Sequence, residues 1–456
     1  MGEREVLGRA AELAAEWYAS SAERPIPPSA TVAELRQGLG GPLPEAGTDD
    51  LEVVEALARD GEAGLMAMGS GRFFGFVIGG ALPAALAADW LVSAWDQNAA
   101  LLLPTPTAAV VEEIAGTWVK ELLGLPATAS FAFVTGCQMA HTTALAVARD
   151  EVLHRAGWSV GERGLQGGPQ LRIVAGEKRH ITVDRALRLL GIGMEQVRLV
   201  PVDDQGRMQA ALLPSALAEG DGPTIVVAQA GEVNTGSFDD FGAIADACEA
   251  TGAWLHVDGA FGLWAGASDR LRPLVAGVER ADSWATDGHK WLNVPYDCGI
   301  ALCADPAAHR RAMSATAAYL IQVEDAEGRE PMAYTPEFSR RARAVPVYAA
   351  IRALGRKGVT RLVEGCCDHA RAFAERVALL PGCEVLNDVV LNQVLFRFAD
   401  DATTTSALAA VQAGGEAWMS GTTWEGRAAI RLSVSGWRTT GSDVERTVAA
   451  YAAALG

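Results

Sequence analysis

From residue 131 onward, the chain alternates between short runs of β-branched and aromatic residues and longer stretches with helical periodicity. The short runs are FAFVT, LRIVA, QVRLV, TIVVA, WLHVD, SWAT and GIALC. This alternation predicts the α/β class, with a mostly parallel central sheet covered by helices. Sheets of this kind bind ligands at the carboxyl ends of their strands, so the residues that follow each run are the candidates for a functional site.

The same patterns divide the chain into three predicted parts. Residues 1–80 form an N-terminal helical segment without a strand pattern, which is expected to pack on another surface such as a partner subunit. Residues 81–338 contain the alternating runs and form a large domain. Residues 339–456 hold two long helical segments, further alternating runs and a final helix, and so predict a small α+β domain.

Charge and cysteine content exclude several classes of partner and site. The 456 residues carry a net charge of −18, which disfavours binding to nucleic acid or to an anionic membrane. The longest apolar stretch, 76–92, is interrupted by glycine, proline and aspartate, so it is not expected to span a membrane. Seven cysteines without a CxxC pair predict neither a zinc site nor a disulfide framework. Because the N-terminus also lacks an apolar signal core, we expect a cytoplasmic protein.

Two charged residues follow predicted buried strands. Lys290 comes directly after SWATDGH, and a lysine in apolar surroundings has a lowered pKa and becomes a nucleophile for aldehydes. Asp258 ends the run WLHVD, where a carboxylate is costly without a cationic partner such as a protonated pyridine nitrogen. Each residue has a structural alternative, since Lys290 could pack its stem on Trp291 with its ammonium in water, and Asp258 could cap a helix.

Two further positions lie where a strand gives way to a helix. The turn Gly136-Cys137-Gln138 precedes a helix, whose N-terminus would offer free N–H groups to a phosphate. His180 follows LRIVA, where an imidazole could stack on a flat ring. The alternatives are that the turn is an ordinary strand–helix junction and that His180 caps the next helix. Taken together, a phosphate site, a ring-stacking histidine, a carboxylate and a lysine fit one cofactor, pyridoxal 5′-phosphate.

From about residue 72 to the C-terminus, the chain also resembles the group II pyridoxal-phosphate-dependent amino-acid decarboxylases, which include aromatic-amino-acid, histidine and glutamate decarboxylases. The passages that carry the resemblance are AQAGEVNTGSFDDF (228–241), WLHVDGAFG (254–262), DGHKWLNVPYDCG (287–299), SRRARAVPVYAAIRALGRKG (339–358) and RLSVSGWRTTGSDVERTV (431–448). The resemblance implies the fold-type-I, aminotransferase-like fold, as an intertwined homodimer with its sites at the subunit interface.

The resemblance implies a role for each candidate residue. Lys290 would bind the cofactor aldehyde covalently, Asp258 would pair with the pyridine nitrogen, and His180 would stack on the ring. The remaining cofactor contacts that it implies are Ala260 on the other ring face, His289 near the phosphate, Asp287, and the turn of Gly136, Cys137 and Gln138.

The phosphate turn departs from the usual pattern of the family. That pattern is Gly/Ser-(Gly/Ala)-(Ser/Thr)-Glu-Ala-Asn, and this chain reads Gly136-Cys137-Gln138-Met139-Ala140-His141. Gln138 replaces the hydroxyl residue and Met139 replaces the glutamate. Backbone N–H groups can still bind a phosphate, and the departure indicates a divergent branch of the family.

A tyrosine is implied as the proton donor of the reaction. In the family a Tyr-Leu pair lies on a mobile stretch after the lysine, and here it is Tyr319-Leu320, followed after Ile321 by QVEDAEGREP. Members with phenylalanine at this position produce an aldehyde by oxidative deamination. The alternative is a buried tyrosine in a helix.

The resemblance implies decarboxylation of an L-amino acid to an amine and CO₂. The apolar segment 73–80, together with Trp95, favours an aromatic or other nonpolar substrate over a diacid. The residues themselves leave open a pyridoxal-phosphate-dependent lyase, an aldehyde synthase or an aminotransferase. They also leave open a non-catalytic dimeric binding protein, against which the intact Lys290 argues.

Overall fold

The computed structural model describes residues 2–314 and 328–456. Its helices are α1 (Glu3–Ser20), α2 (Val32–Leu39), α3 (Asp50–Gly61), α4 (Pro83–Trp95), α5 (Pro106–Leu123), α6 (Cys137–Arg155), α7 (Val160–Arg163), α8 (Ile181–Leu189), α9 (Leu213–Ala218), α10 (Phe241–Thr251), α11 (Pro306–Met313), α12 (Ala344–Val377), α13 (Asp401–Gly414) and α14 (Gly441–Ala454). Its strands are β1 (Ser130–Val134), β2 (Arg172–Gly176), β3 (Val197–Val200), β4 (Thr224–Gln229), β5 (Trp254–Asp258), β6 (Ser283–Asp287), β7 (Gly299–Cys303), β8 (Glu384–Val385), β9 (Gln393–Arg397), β10 (Ser420–Trp424) and β11 (Arg427–Ser433).

Strands β1 to β7 form the large sheet, in the order β1-β7-β6-β5-β4-β2-β3. The pairs from β6 across to β3 are parallel, whereas β7 lies antiparallel between β1 and β6. The predicted α/β class with a mostly parallel sheet is confirmed, and each of the seven apolar runs is a strand. Because β1 and β6 are both antiparallel to β7, the six strands other than β7 run in one direction.

Both faces of the large sheet are covered. Val174 of β2 and Val226 of β4 belong to one hydrophobic cluster, while their neighbours Ile173 and Ile225 belong to another. Successive side chains of a strand point to opposite faces, so two separate clusters require a core on each side. Strands buried on both faces read as continuous apolar runs, which explains the pattern of the sequence.

The carboxyl ends of the parallel strands bring the predicted site residues to one edge of the sheet. Gly136 follows β1, His180 follows β2, and Asp258 and Asp287 are the last residues of β5 and β6. This edge is the expected ligand site of an open α/β sheet.

The C-terminal residues form a second, smaller layer of structure. The predicted pair of helical segments is one kinked helix, α12, in which Gly355 has φ 61° and ψ 173°. That conformation interrupts the helix and suits glycine, which lacks a Cβ. Strands β8 to β11 form the small antiparallel sheet, in the order β10-β11-β9-β8.

The N-terminal segment joins the rest of the chain through a few specific contacts. The Tyr18 hydroxyl donates to the carbonyl of Ala81 at 2.7 Å, and the buried Arg72 guanidinium donates to the carbonyls of Ala22 and Glu416. None of the residues of α1, α2 and α3, all of which the structure describes, is buried.

The apolar segment 73–80 was expected to line a substrate pocket, and only part of it is placed where it could do so. Phe73 and Phe74 are buried, and Phe73 stacks on Trp418 with ring centroids 5.2 Å apart. These two rings are therefore part of the core, whereas Phe76 is 53% exposed. Among the described residues, no helix is long and apolar enough to cross a membrane.

Candidate active site

Lys290 lies three residues beyond the end of β6, with its side chain 19% exposed. Its Nζ is 3.2 Å from Oδ2 of Asp287 and 5.9 Å from the centre of the Phe261 ring. Burial alone would lower the pKa of Lys290, but the charges of Asp287 and Asp258 and the hydrogen bond to Asp287 outweigh burial and raise it. The expectation of a lowered pKa was therefore wrong, because it counted the apolar surroundings and not the neighbouring carboxylates.

Asp287 connects the lysine to the start of α6. Its Oδ1 accepts the backbone N–H of Cys137 at 2.6 Å and lies 3.4 Å from Nε2 of His289. Its own N–H donates to the carbonyl of Ala260 at 3.0 Å. One buried carboxylate thus holds the lysine, the helix N-terminus and a histidine together.

The turn before α6 depends on two glycines that lie against each other. A Cβ on Gly299, the first residue of β7, would lie 2.2 Å from the backbone carbon of Gly136. A Cβ on Gly136 would lie 3.2 Å from the His289 ring. The absence of both side chains lets the N-terminus of α6 approach the start of β7. Beside it, the amide Nε2 and Oε1 of Gln138 are buried and lack a hydrogen-bond partner among the described residues.

His289 is held in one tautomer. Its Nδ1 accepts the backbone N–H of Cys298 at 3.0 Å, so in the neutral ring Nε2 carries the proton. Burial lowers the pKa of His289, which favours that neutral form. Its ring stacks on Tyr296, with centroids 4.3 Å apart. His289 therefore offers an N–H donor beside the N-terminus of α6.

Asp258 is a buried carboxylate that the structure keeps ionised. Its Oδ1 accepts the N–H of Ala260 at 3.2 Å, and its Oδ2 lies 3.4 Å from Nε2 of His141. Burial would raise the pKa of Asp258, but His141, His180 and Lys290 together hold it well below its usual range. The predicted alternative, a helix cap, is not its role, because the helix that follows begins at Gly262.

His180 has the role that its structural alternative predicted. Its Nδ1 accepts the backbone N–H of Thr182 and caps α8. Burial lowers its pKa, and the charges of Asp258, Lys290 and Arg431 also act on it. The ring therefore caps a helix while lying within electrostatic reach of the other candidate residues.

Three residues near the site were not predicted from the sequence. His141 and His256 lie behind Asp258, and Arg431 of β11 has a mostly buried guanidinium whose Nε lacks a partner among the described residues. The available signals were weak: His256 lies two residues before Asp258, on the same strand face, and His141 lies one helical turn after Cys137.

Two predicted residues are not part of this group. Tyr319 lies outside the residues that the structure describes. Trp95 is the last residue of α4 and lines a separate groove with Val92 and Val345, and the described lining of that groove does not include Lys290.

Comparisons with known proteins identify the family. The pyridoxal-dependent decarboxylase conserved domain matches residues 36–399. The chain is 30% identical over 434 residues to L-2,4-diaminobutyrate decarboxylase of Rhizobium meliloti, covering 90% of this chain and 84% of that protein. It is 29% identical over 374 residues to aromatic-L-amino-acid decarboxylase of Bacillus atrophaeus, covering 80% of this chain and 75% of that protein.

A solved structure agrees with the fold. The structure of Oryza sativa TDC with PLP and tryptamine superimposes with a TM-score of 0.92 and 23% sequence identity, over 99% of this chain and 97% of that one. The chain therefore belongs to the pyridoxal-dependent decarboxylase family, and it is a pyridoxal-phosphate-dependent enzyme that removes CO₂ from an amino acid.

Proposed function

We propose that this decarboxylase acts on an aromatic or other nonpolar L-amino acid, with Lys290 as the covalent anchor of the cofactor. The single observation that carries the site assignment is the meeting of Lys290, Asp287 and the N-terminus of α6 at the sheet edge where Asp258 also ends. Pyridoxal phosphate has an aldehyde, a ring nitrogen and a phosphate, and this edge offers a partner for each.

The chemistry of the donors supports the fit. Asp258 is an ionised carboxylate for a protonated ring nitrogen, and His180 and Ala260 are the proposed contacts of the two ring faces. The phosphate contacts are proposed to be the turn of Gly136, Cys137 and Gln138 with His289. The unpartnered amide of Gln138 is a buried polar group that requires such a ligand. When bound, pyridoxal phosphate accepts the electrons that the departing CO₂ leaves behind.

Lys290 must lose a proton before it can react with an aldehyde. Asp287, at 3.2 Å, is the acceptor nearest to that proton on the described part of the chain, and it also keeps the ammonium form stable until the cofactor arrives. We assign to Asp287 the role of holding the lysine beside the start of α6, where the cofactor phosphate is proposed to bind.

The substrate carboxylate requires a cationic partner. Arg431 is the proposed one, because its guanidinium is mostly buried, has an unpartnered Nε and acts electrostatically on His180. Arg431 would bind the α-carboxylate, which all amino acids share, so it would not discriminate between substrates by their side chains.

The proposal of a nonpolar side chain is supported by the aromatic surroundings. Phe261 lies beside Lys290, and the exposed Tyr296 lies on the same apolar surface as α1 and α4. A specific observation favours a second candidate, L-2,4-diaminobutyrate, since the relative that covers 90% of the chain is named for that substrate. Tyr319 remains the proposed proton donor that makes an amine rather than an aldehyde.

The test is a panel of substrates assayed for CO₂ release and for product identity. It should include tryptophan, tyrosine, phenylalanine, 2,4-diaminobutyrate, glutamate and cysteine sulfinate. We expect CO₂ and the corresponding amine from at least one aromatic substrate and none from glutamate. Release from 2,4-diaminobutyrate alone would select the second candidate, and an aldehyde in place of the amine would remove the proposed role of Tyr319.

A further inference from the structure

A row of buried hydrogen-bonding side chains runs away from Asp258 into the protein. Nδ1 of His141 lies 3.0 Å from Nε2 of His256, and Nδ1 of His256 lies 2.9 Å from Oγ of Ser283. Ser283 in turn accepts the indole N–H of Trp254 at 2.9 Å. Each of these four residues is at most 1% exposed, so water does not compete for their hydrogen bonds.

The ionised Asp258 assigns a direction to this row, because a carboxylate only accepts and so requires the proton of His141 on Nε2. Trp254 can only donate, which leaves Ser283 free to donate its single hydrogen to His256. Burial lowers the pKa of His256 to about 3, so its ring is neutral and one nitrogen must accept. With the proton of His141 on Nε2, toward Asp258, its Nδ1 accepts from the Nε2–H of His256, and Nδ1 of His256 accepts from Ser283.

We infer that His141 is a positioning residue, which donates a hydrogen bond to Asp258 and so holds that carboxylate ionised and fixed for the ring nitrogen of the cofactor. This inference rests on the proposed role of Asp258. The groups that face His141 are Asp258 and Cys137, at 3.4 Å each from its Nε2, and His256 at its Nδ1. Hydrogen bonds from Trp254 through Ser283 and His256 fix the tautomer of His141. His141 in turn donates its Nε2–H to Asp258.

The length of the side chain at position 141 matters. The phosphate-turn pattern of the family has asparagine at this position. The amide nitrogen of asparagine lies about as far from the backbone as Nδ1 of histidine does. Only the more distant Nε2 of His141 lies within 3.4 Å of Asp258. A glutamine extends about as far as Nε2, so His141→Gln would keep a donor to Asp258, whereas His141→Asn would lose it.

A metal ion is the competing occupant of this position. The donor atoms of Cys137, His141 and Asp258 lie within 4.8 Å of one another, which is close enough for a metal. Metal binding would require the lone pair of His141 Nε2 to face the metal, whereas the hydrogen-bonded row places a proton there. Burial also raises the pKa of the Cys137 thiol well above its usual value, which opposes the thiolate that a metal requires.

The experiment compares two cofactors on the purified full-length apoenzyme. Pyridoxal 5′-phosphate and its 1-deaza analogue, which has a C–H in place of the ring nitrogen, are titrated against wild type, His141→Asn, His141→Gln and a control. The control is His309→Asn, which removes another buried histidine, one that contacts Ser130 and the carbonyl of Tyr334 instead.

We expect His141→Asn to lose about tenfold or more of its affinity for pyridoxal phosphate and to keep its affinity for the deaza analogue. His141→Gln and His309→Asn should bind both compounds nearly as wild type does. An equal loss for both compounds would show a merely structural role and overturn the inference, as would unchanged affinity in His141→Asn. One metal ion per wild-type chain that is lost in His141→Asn would overturn it in favour of the metal.

A spectroscopic measurement on the wild type does not depend on the affinity of the variants and needs only His141→Gln to assign the signal. Nitrogen-15 spectra of the histidine-labelled apoenzyme should show a ring that carries a proton at Nε2 and accepts at Nδ1, and whose signal is absent from His141→Gln. A ring protonated at Nδ1 alone would contradict the inference. Because these measurements do not use turnover, failure to find a decarboxylated product would count against the proposed substrate and not against His141.

Discussion

Lys290 and Asp287 form the pair of residues on which the proposed chemistry depends most directly. Lys290→Ala should remove the visible absorption band of lysine-bound pyridoxal phosphate and the pyridoxyl adduct formed by borohydride, because Lys290 is the amine beside Asp287 on the described part of the chain. Lys178→Ala is the matched control, since its ammonium lies 4.7 Å from the Trp424 ring. A borohydride adduct on a different lysine of the Lys290→Ala variant would contradict the assignment.

The same pair predicts a pH dependence. Asp287 raises the pKa of Lys290 through its charge and its hydrogen bond, so Asp287→Asn should lower that pKa. The lysine then loses its proton at a lower pH, and the rising limb of the rate of cofactor attachment should move to lower pH. Stopped-flow absorption across the pH range measures this shift. A limb that stays in place, or moves to higher pH, would show that Asp287 does not control the lysine.

At the scale of elements, the site is set by how closely β7 approaches the N-terminus of α6. Gly299→Ala would place a Cβ 2.2 Å from the backbone of Gly136, so the two elements must separate. We expect a loss of about 3 kcal/mol in the free energy of unfolding, at the upper end of overpacking costs. Gly8→Ala on α1 is the control, because its Cβ meets nothing within 4 Å and should stabilise the helix by about 0.5–1 kcal/mol. Denaturant unfolding with equal losses in both variants would contradict this reading.

The strands of the large sheet could be predicted because each is buried on both faces and therefore reads as an apolar run. The antiparallel position of β7 between β1 and β6 could not, because periodicity shows that a strand exists and not which strand it pairs with. Lys290 and Asp258 could be predicted because they follow or end apolar runs. His141 could not be predicted, because its role depends on a contact that periodicity does not show. Its partner lies 117 residues away in the chain, and only the fold brings the two side chains to 3.4 Å.

At the scale of the whole molecule, the N-terminal segment exposes apolar surface that one chain does not cover. Leu7 on α1 is 68% exposed and Leu57 on α3 is 64% exposed. A groove of about 340 Å³ between α1 and α4 continues this surface as far as Tyr296, which stacks on His289 of the site. Exposed leucines beside an apolar groove are typical of an interface, and we propose that a second copy of the chain covers them.

The homodimer follows from that surface and can be tested by substitution within it. Light scattering should report a particle of roughly 96 kDa, twice the 47.8 kDa of one chain. A variant with Leu7→Asp and Leu57→Asp would bury two unpaired carboxylates in the interface, so it should dissociate at concentrations where wild type stays paired. Leu379→Asp is the control, because that leucine is 84% exposed but follows α12, far along the chain from the N-terminal helices. The doubly substituted chain should lose cofactor affinity as it dissociates, since the interface reaches the edge of the site at Tyr296. A wild-type particle of one chain that binds cofactor normally would refute the dimer and leave the exposed leucines without a partner.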